Sequence, residues 1–251
     1  MGARTKTKSE KESVSPTILL LGTVHGDPKG VTRLRRFLTH WQPDLILLEL
    51  SPYARSFRLR HQRSFQRLLT GNAKLAAEQT RWNWRKALAH PQILAIRRQL
   101  ALPFEYRATS RYARQNGKKL VLVDSSPFSR QLIGFWKELV SVRNLAQLLS
   151  LPGTSKSAAI EHAYRTAHYR LEDPELLGGS RLQCGSGEMT HLWREREHFL
   201  AKQVRNTLSL LRPATAVYVG GWQHLLAHRT PPSLRDLLGI EPSHCLLLDS
   251  C

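Results

Sequence analysis

Two histidines stand three residues beyond a glycine that closes an apolar run, in Gly22-Thr23-Val24-His25 and Gly221-Trp222-Gln223-His224. Carboxylates end two other apolar runs, Glu49 after residues 45–48 and Asp124 after residues 119–123. Imidazoles and carboxylates are the side chains that carry protons near neutral pH. Two imidazoles and a carboxylate also suit a divalent metal ion that keeps one position open for water, so His25, Glu49 and His224 are the expected ligands, with the identity of the metal open. Such an ion would acidify its water and polarise a carbonyl. Without a metal the same groups serve as base and orienting partner. Asp124 is expected as a further ligand or as an orienting group, and Arg196 as a clamp for a carboxylate or oxyanion. No G-x-S-x-G elbow is present, and nothing in the sequence marks Ser125 or Ser126 as an activated nucleophile.

These residues need elements that bring them together. Residues 18–21 are a short apolar run stopped by glycine, which reads as a buried strand. Val31, Leu34, Phe37, Leu38 and Trp41 then recur at helical spacing, Pro43-Asp44 breaks that helix, and 45–48 form a second strand. A strand-helix-strand unit predicts parallel strands with a right-handed crossover. Sites in such sheets lie at the carboxyl ends of strands, where His25 and Glu49 should be neighbours. Strands are also predicted over 119–123, 214–219 and 245–248, and helices over 128–149, 158–171, 191–211 and from 225. On the helix over 191–211, Trp193, Leu200, Val204, Leu208 and Leu211 make one apolar stripe. Arg196 and Glu197 share that stripe, whereas Glu195 points away. Charges on a buried face are costly unless paired, so they form either a structural ion pair or part of the site.

The expected fold is therefore α/β, a mostly parallel sheet with flanking helices. A helical insertion follows strand two at about 56–116 and is expected to cap the sheet edge. Residues 16–251 read as one domain, and 1–15 as a flexible basic arm, being polar, rich in lysine and without periodicity. Trp82 and Trp84 flank Asn83 in the insertion, either to stack on a ligand or to anchor a core. The glycines over 177–187 suggest a flexible segment and form no nucleotide fingerprint. Three cysteines, Cys184, Cys245 and Cys251, widely spaced, imply no disulfide framework. The arm has no apolar signal segment, and no stretch is long and apolar enough to span a bilayer, which makes a cytoplasmic protein the expectation. A net charge of +19, carried mostly by arginine and concentrated in the insertion, suits an acidic surface or nucleic acid, although no nucleic-acid motif accompanies it.

Taken in order, Gly22-Thr23-Val24-His25, Glu49 and Arg55 in ELSPYAR, Asp124 in KKLVLVDSSPFSRQ, Glu195-Arg196-Glu197 in REREHFLAK, and Gly221-Trp222-Gln223-His224 resemble the motifs of the TraB/PrgY, GumN and Tiki superfamily. The resemblance runs from strand one to His224 and leaves the insertion uncovered. It implies an α/β sheet core with paired G-x-x-H motifs, and it adds Arg55 to the expected site as a second clamp for a carboxylate or oxyanion. It also implies metal-dependent hydrolysis of peptide bonds in the Tiki-like branch and inhibition of peptide pheromones in the TraB/PrgY branch. Erythromycin esterases and haem-binding ChaN-type proteins are more distant relatives with similar histidines. The chain departs from the pattern in having no membrane segment or signal peptide, in Ser125 where the family commonly has Arg after the aspartate, and in Leu225-Leu226 where a glycine usually follows. A hydrolase of peptide, amide or ester bonds is thus the leading expectation, acting on a peptide or small molecule. The alternatives are a ligand- or haem-binding module without turnover and a basic protein associated with nucleic acid.

Overall fold

The computed structural model describes residues 17–152, 156–172, 187–227 and 231–251. The expected basic arm, nearly all of the glycine-rich segment 177–187, Cys184 and His228 lie outside the described residues. Five strands make one parallel sheet: β1 (Thr17–Thr23), β2 (Leu45–Leu48), β3 (Lys119–Leu122), β4 (Thr215–Gly221) and β5 (Cys245–Leu247). Their spatial order is β3-β2-β4-β1-β5. The α/β architecture with a parallel sheet and flanking helices is thus what the chain adopts.

The three central strands are apolar almost throughout because helices cover both faces, which is the pattern of a buried parallel sheet. Leu20, Leu21, Ile46, Leu47, Val217 and Val219 are fully enclosed. Strands β1 and β2 run parallel as expected, but β4 lies between them, so His25 and Glu49 end strands that are not direct neighbours. The register sets Leu21 and Leu48 on either side of Val219. Residues separated by about two hundred positions in sequence therefore meet at one rim.

Helix α1 (Gly30–Trp41) joins β1 to β2. The insertion begins earlier than expected, with α2 (Pro52–Gln79), because Ser51 caps its first turn through Ala54 N and Pro52 suits the first helical position. It continues through α3 (Trp84–Ala89), α4 (Pro91–Leu100) and α5 (Phe104–Asn116). The single helix expected over 128–149 is three: α6 (Ser126–Gly134), α7 (Trp136–Leu139) and α8 (Val142–Leu149). Ser125 and Ser141 each accept a bond from a backbone N–H three residues on, so each starts a new helix. Helices α9 (Lys156–Glu172) and α10 (Gly187–Leu211) precede β4, and α11 (Leu234–Leu238) precedes β5. After β4 the chain makes a single 3-10 turn over Trp222–Leu225, where a short helix starting at 225 was expected. No described helix is long and apolar enough to cross a membrane.

Two glycines set how closely layers approach near the rim. A Cβ on Gly30 would lie 2.5 Å from the Phe104 ring, so the bare backbone lets α5 settle against α1 and places Glu105 beneath the end of β1. A Cβ on Gly220 would lie 2.5 Å from both Glu49 Oε2 and Tyr218 Oη, so β4 needs glycine where those groups pack.

Candidate functional site at the sheet rim

Four adjacent strand ends converge here, and α10 lies across them. Asp124 follows β3, Glu49 follows β2, His224 follows β4 and His25 follows β1. Arg196, from the inward face of α10, grips Asp124 through both carboxylate oxygens, with Nε to Oδ1 at 2.9 Å and Nη2 to Oδ2 at 3.0 Å. The same guanidinium donates to Glu49 Oε1 and lies over the Phe128 and Trp193 rings. Glu49 Oε2 accepts the Gly221 backbone N–H. Fork-shaped pairing of this kind fixes orientation as well as charge.

His224 is enclosed by carboxylates. Its Nε2 lies 3.1 Å from Glu49 Oε1 and its Nδ1 2.6 Å from Glu197 Oε1, the latter an ionic contact and not an aligned hydrogen bond. Trp193 stacks on the imidazole at 5.5 Å, and Tyr218 meets it edge-on. Burial opposes the ring's charge, but Glu49 and Glu197 outweigh it and raise His224 from 6.5 to about 9. For Glu49 burial favours the neutral form, yet His224 and Arg196 hold it well below the usual carboxylate range. The Tyr218 hydroxyl, buried among these acids, is pushed well above its usual range by burial and by Glu49 and Glu197.

His25 stands apart. Its side chain is 61% exposed, where that of His224 is 1% exposed. Nδ1 lies 2.8 Å from Oε1 of Glu105, which comes from α5 and is itself buried. The Thr23 hydroxyl sits 3.0 Å from that oxygen and 3.1 Å from the Gly220 carbonyl, so its one proton serves one of the two. Packing around the ring opposes its charge, but Glu105, backed by Glu49, raises His25 to about 9. Solvent at the exposed face screens part of that pairing. Nε2 is directed toward Gly221: a Cβ there would lie 3.4 Å from it and 3.5 Å from Glu49 Oε2. The turn carrying His25 is pinned from behind. Asp27 accepts bonds from Lys29 N, Arg33 and the Tyr164 hydroxyl, and Gly26 takes a φ of 81°.

Of the seven side chains expected at the site, six share this rim: His25, Glu49, Asp124, Arg196, Glu197 and His224. Arg55 does not join the network; it donates to the Tyr106 hydroxyl at 2.6 Å and stacks on that ring. Glu105 was missed. It is one of two carboxylates between residues 52 and 116, and it shares the buried side of α5 with Ala108, Thr109 and Tyr112, a faint signal at best.

The donor groups expected to hold a metal are already engaged. Both ring nitrogens of His224 face carboxylates, and Glu49 is held by a guanidinium, a ring nitrogen and a backbone N–H. A divalent ion on His25, Glu49 and His224 would have to expel Arg196, so the three do not form an open ligand set. Among the described residues no group of three or more His, Cys, Asp or Glu side chains is arranged to hold a metal. The arrangement as it stands is a rigid, charge-paired wall with one accessible imidazole. With carboxylates ionised and His25, His224 and Arg196 cationic, the network holds four negative charges against three positive ones, and the Arg98 guanidinium lies close to Gly26 beside it. Compared with known proteins, the chain matches no family model, no curated protein and no solved structure.

Proposed function

We propose that the rim is a hydrolytic site for peptide, amide or ester bonds, in which His25 handles the proton. One observation carries this reading: a largely exposed imidazole has its Nδ1 held by a buried carboxylate. Glu105 fixes the ring and its tautomer, the role a carboxylate plays behind a catalytic histidine. Neutral His25 takes a proton from water through Nε2 as the water oxygen attacks the carbonyl carbon. The resulting imidazolium returns that proton to the departing amine or alcohol when the tetrahedral species collapses. Arg196 and His224 are structural in this scheme, holding Glu49 and Asp124 in place.

The base is competent only when neutral, so with His25 raised to about 9 the rate rises with pH and levels off above that value. A panel of chromogenic peptides and esters, assayed across this pH range, tests the proposal. His25→Ala should lower kcat/KM by about 10² to 10⁴ while the protein stays folded, with its thermal melt lowered only modestly. Glu105→Gln should move the inflection down toward or below 6.5, a shift that a merely structural carboxylate would not produce. Full activity in His25→Ala overturns the reading, and ligand binding without turnover at any pH would make the rim a binding module instead. The metal-dependent form of the proposal requires Arg196 to release Glu49. Plasma mass spectrometry of purified protein, with activity lost to a chelator and restored by the ion, would establish it.

A further inference from the structure

The insertion carries a second feature that the rim chemistry does not use. Residues 52–116 hold fourteen lysines and arginines against two carboxylates, and one of those, Glu105, is committed to His25. At the end of α2 the chain turns through Arg81 in a left-handed conformation, φ 56°. Trp82 N bonds to Ala77 O at 2.8 Å and Arg81 N to Glu78 O at 3.3 Å, the helix-ending pattern that ordinarily takes glycine at this position. Asn83 then caps α3 through Arg85 N and Lys86 N. This strained turn presents two indoles, Trp82 40% and Trp84 44% exposed, neither withdrawn into the core. They line a cavity of about 590 Å³ with Lys74, Glu78 and Asn83. Lys74 and Arg85 lie over the Trp84 ring, 5.0 and 5.2 Å from its centre, so a base stacking there takes the place of one of these cations, and the His90 ring meets Trp82 edge-on at 5.5 Å. About 11 Å back along α2, by the rise per residue, a shallow open depression of about 360 Å³ is lined by Gln66, Arg67, Thr70 and Arg97. The Arg97 Nε there is buried without a partner. Among the described residues, no carboxylate pairs with Arg67, Lys74, Arg81, Arg85 or Arg97.

We propose that this face binds single-stranded nucleic acid, with bases stacking on Trp82 and Trp84 and phosphates meeting the unpaired cations along α2. Exposed aromatic faces beside a cationic track are how unpaired strands are held, because every base has a face to stack and every nucleotide a charge to neutralise. Glu78 and Asn83 supply an acceptor and an amide inside the same cavity, where base edges can meet them. An anionic bilayer is the competing surface, but it favours a convex apolar edge, whereas these indoles line a concavity that includes a carboxylate. A duplex keeps its bases stacked and so leaves the indoles unused.

Fluorescence anisotropy of a labelled oligothymidylate or oligouridylate of roughly 12 nucleotides, titrated with the full chain at about 50 mM and about 200 mM salt, tests this. Binding should quench tryptophan emission and weaken steeply with salt. The double variant Trp82→Ala, Trp84→Ala should lose roughly tenfold or more in affinity while keeping the salt slope. Arg81→Gly relieves the left-handed strain as it removes a charge. It should therefore melt no lower than the parent, yet reduce the salt slope by about 0.7. No anisotropy change at the lower salt overturns the proposal, as does unchanged affinity in the double variant. Equal affinity for a duplex of the same length removes the stacking site. Retention on phosphatidylserine vesicles that is abolished by the double variant, with oligonucleotide binding unaffected by it, assigns the face to a membrane.

Discussion

The two G-x-x-H turns have the same spelling and end adjacent parallel strands, yet one histidine is open to solvent and the other is sealed between two acids. The register supplies part of the reason. Gly22 pairs with Gly220, not Gly221, so the motifs are offset by one residue, and one step along a strand exchanges the two faces of the sheet. The rest comes from the partners: His25 meets one carboxylate from the insertion, whereas His224 meets one from β2 and one from α10. Spacing fixes where a side chain stands, and the elements packed over it decide what that side chain does.

Breaking the buried member should therefore cost more than breaking the open one. His224→Ala leaves Glu197 enclosed without a cation and is expected to lose about 3–5 kcal/mol in urea unfolding, against about 1–3 kcal/mol for His25→Ala, which strands buried Glu105 but opens it to solvent where the ring stood. Equal losses would erase the distinction. Titration sharpens it further. Both folded pKa values are raised above 6.5, so the stability each histidine adds is complete below that pH and is lost as pH rises through about 9. The alkaline loss due to His224 is about 3 kcal/mol, and that due to His25 is smaller because solvent screens it. Glu49, with its pKa depressed, adds stability that is complete above 4.5 and is lost as pH falls through its lowered value. Melts recorded from about pH 5 to about 10 should lose most of their alkaline decline in a His224→Gln variant and little of it in His25→Gln. Next in size, Gly30→Ala forces a Cβ against Phe104 and should cost about 1–3 kcal/mol. Because it moves Glu105 away from the rim, it should also lower the His25 pKa followed by NMR, and leave that of His224 in place. Thr23→Val, which removes a hydroxyl from Glu105 and the Gly220 carbonyl, should cost about 1 kcal/mol and affect the same histidine alone.

Much of the fold was legible because β1, β2 and β4 are short apolar runs bounded by glycine or proline, and because α10 keeps one stripe through Trp193, Leu200 and Val204. The same stripe put Arg196 and Glu197 on the inner face, where both now serve the rim. The strand order was not legible. Which strand lies beside β1 is decided by packing between segments about two hundred residues apart, and local periodicity carries no record of it. Glu105 escaped for a related reason: its role depends on α5 approaching β1 through the gap at Gly30, and a carboxylate in an arginine-rich helix reads as a surface residue. The break at Ser141 was readable, since serine before a fresh apolar repeat is a helix start, but the continuous apolar content of residues 128–149 concealed it.

The placement of β4 has a consequence for how the molecule is made. As the chain leaves the ribosome, β1 and β2 appear early with their inner edges unpaired, and the strand that fills the gap between them arrives some two hundred residues after the first. Until then, two sticky ribbons wait for a partner, a state in which slow, long-range sheets are prone to clump. Termination before residue 215 should leave β2 paired with β3 alone and β1 without either of its neighbours, and growth of the rim's acid-base array should coincide with the final committed step of folding.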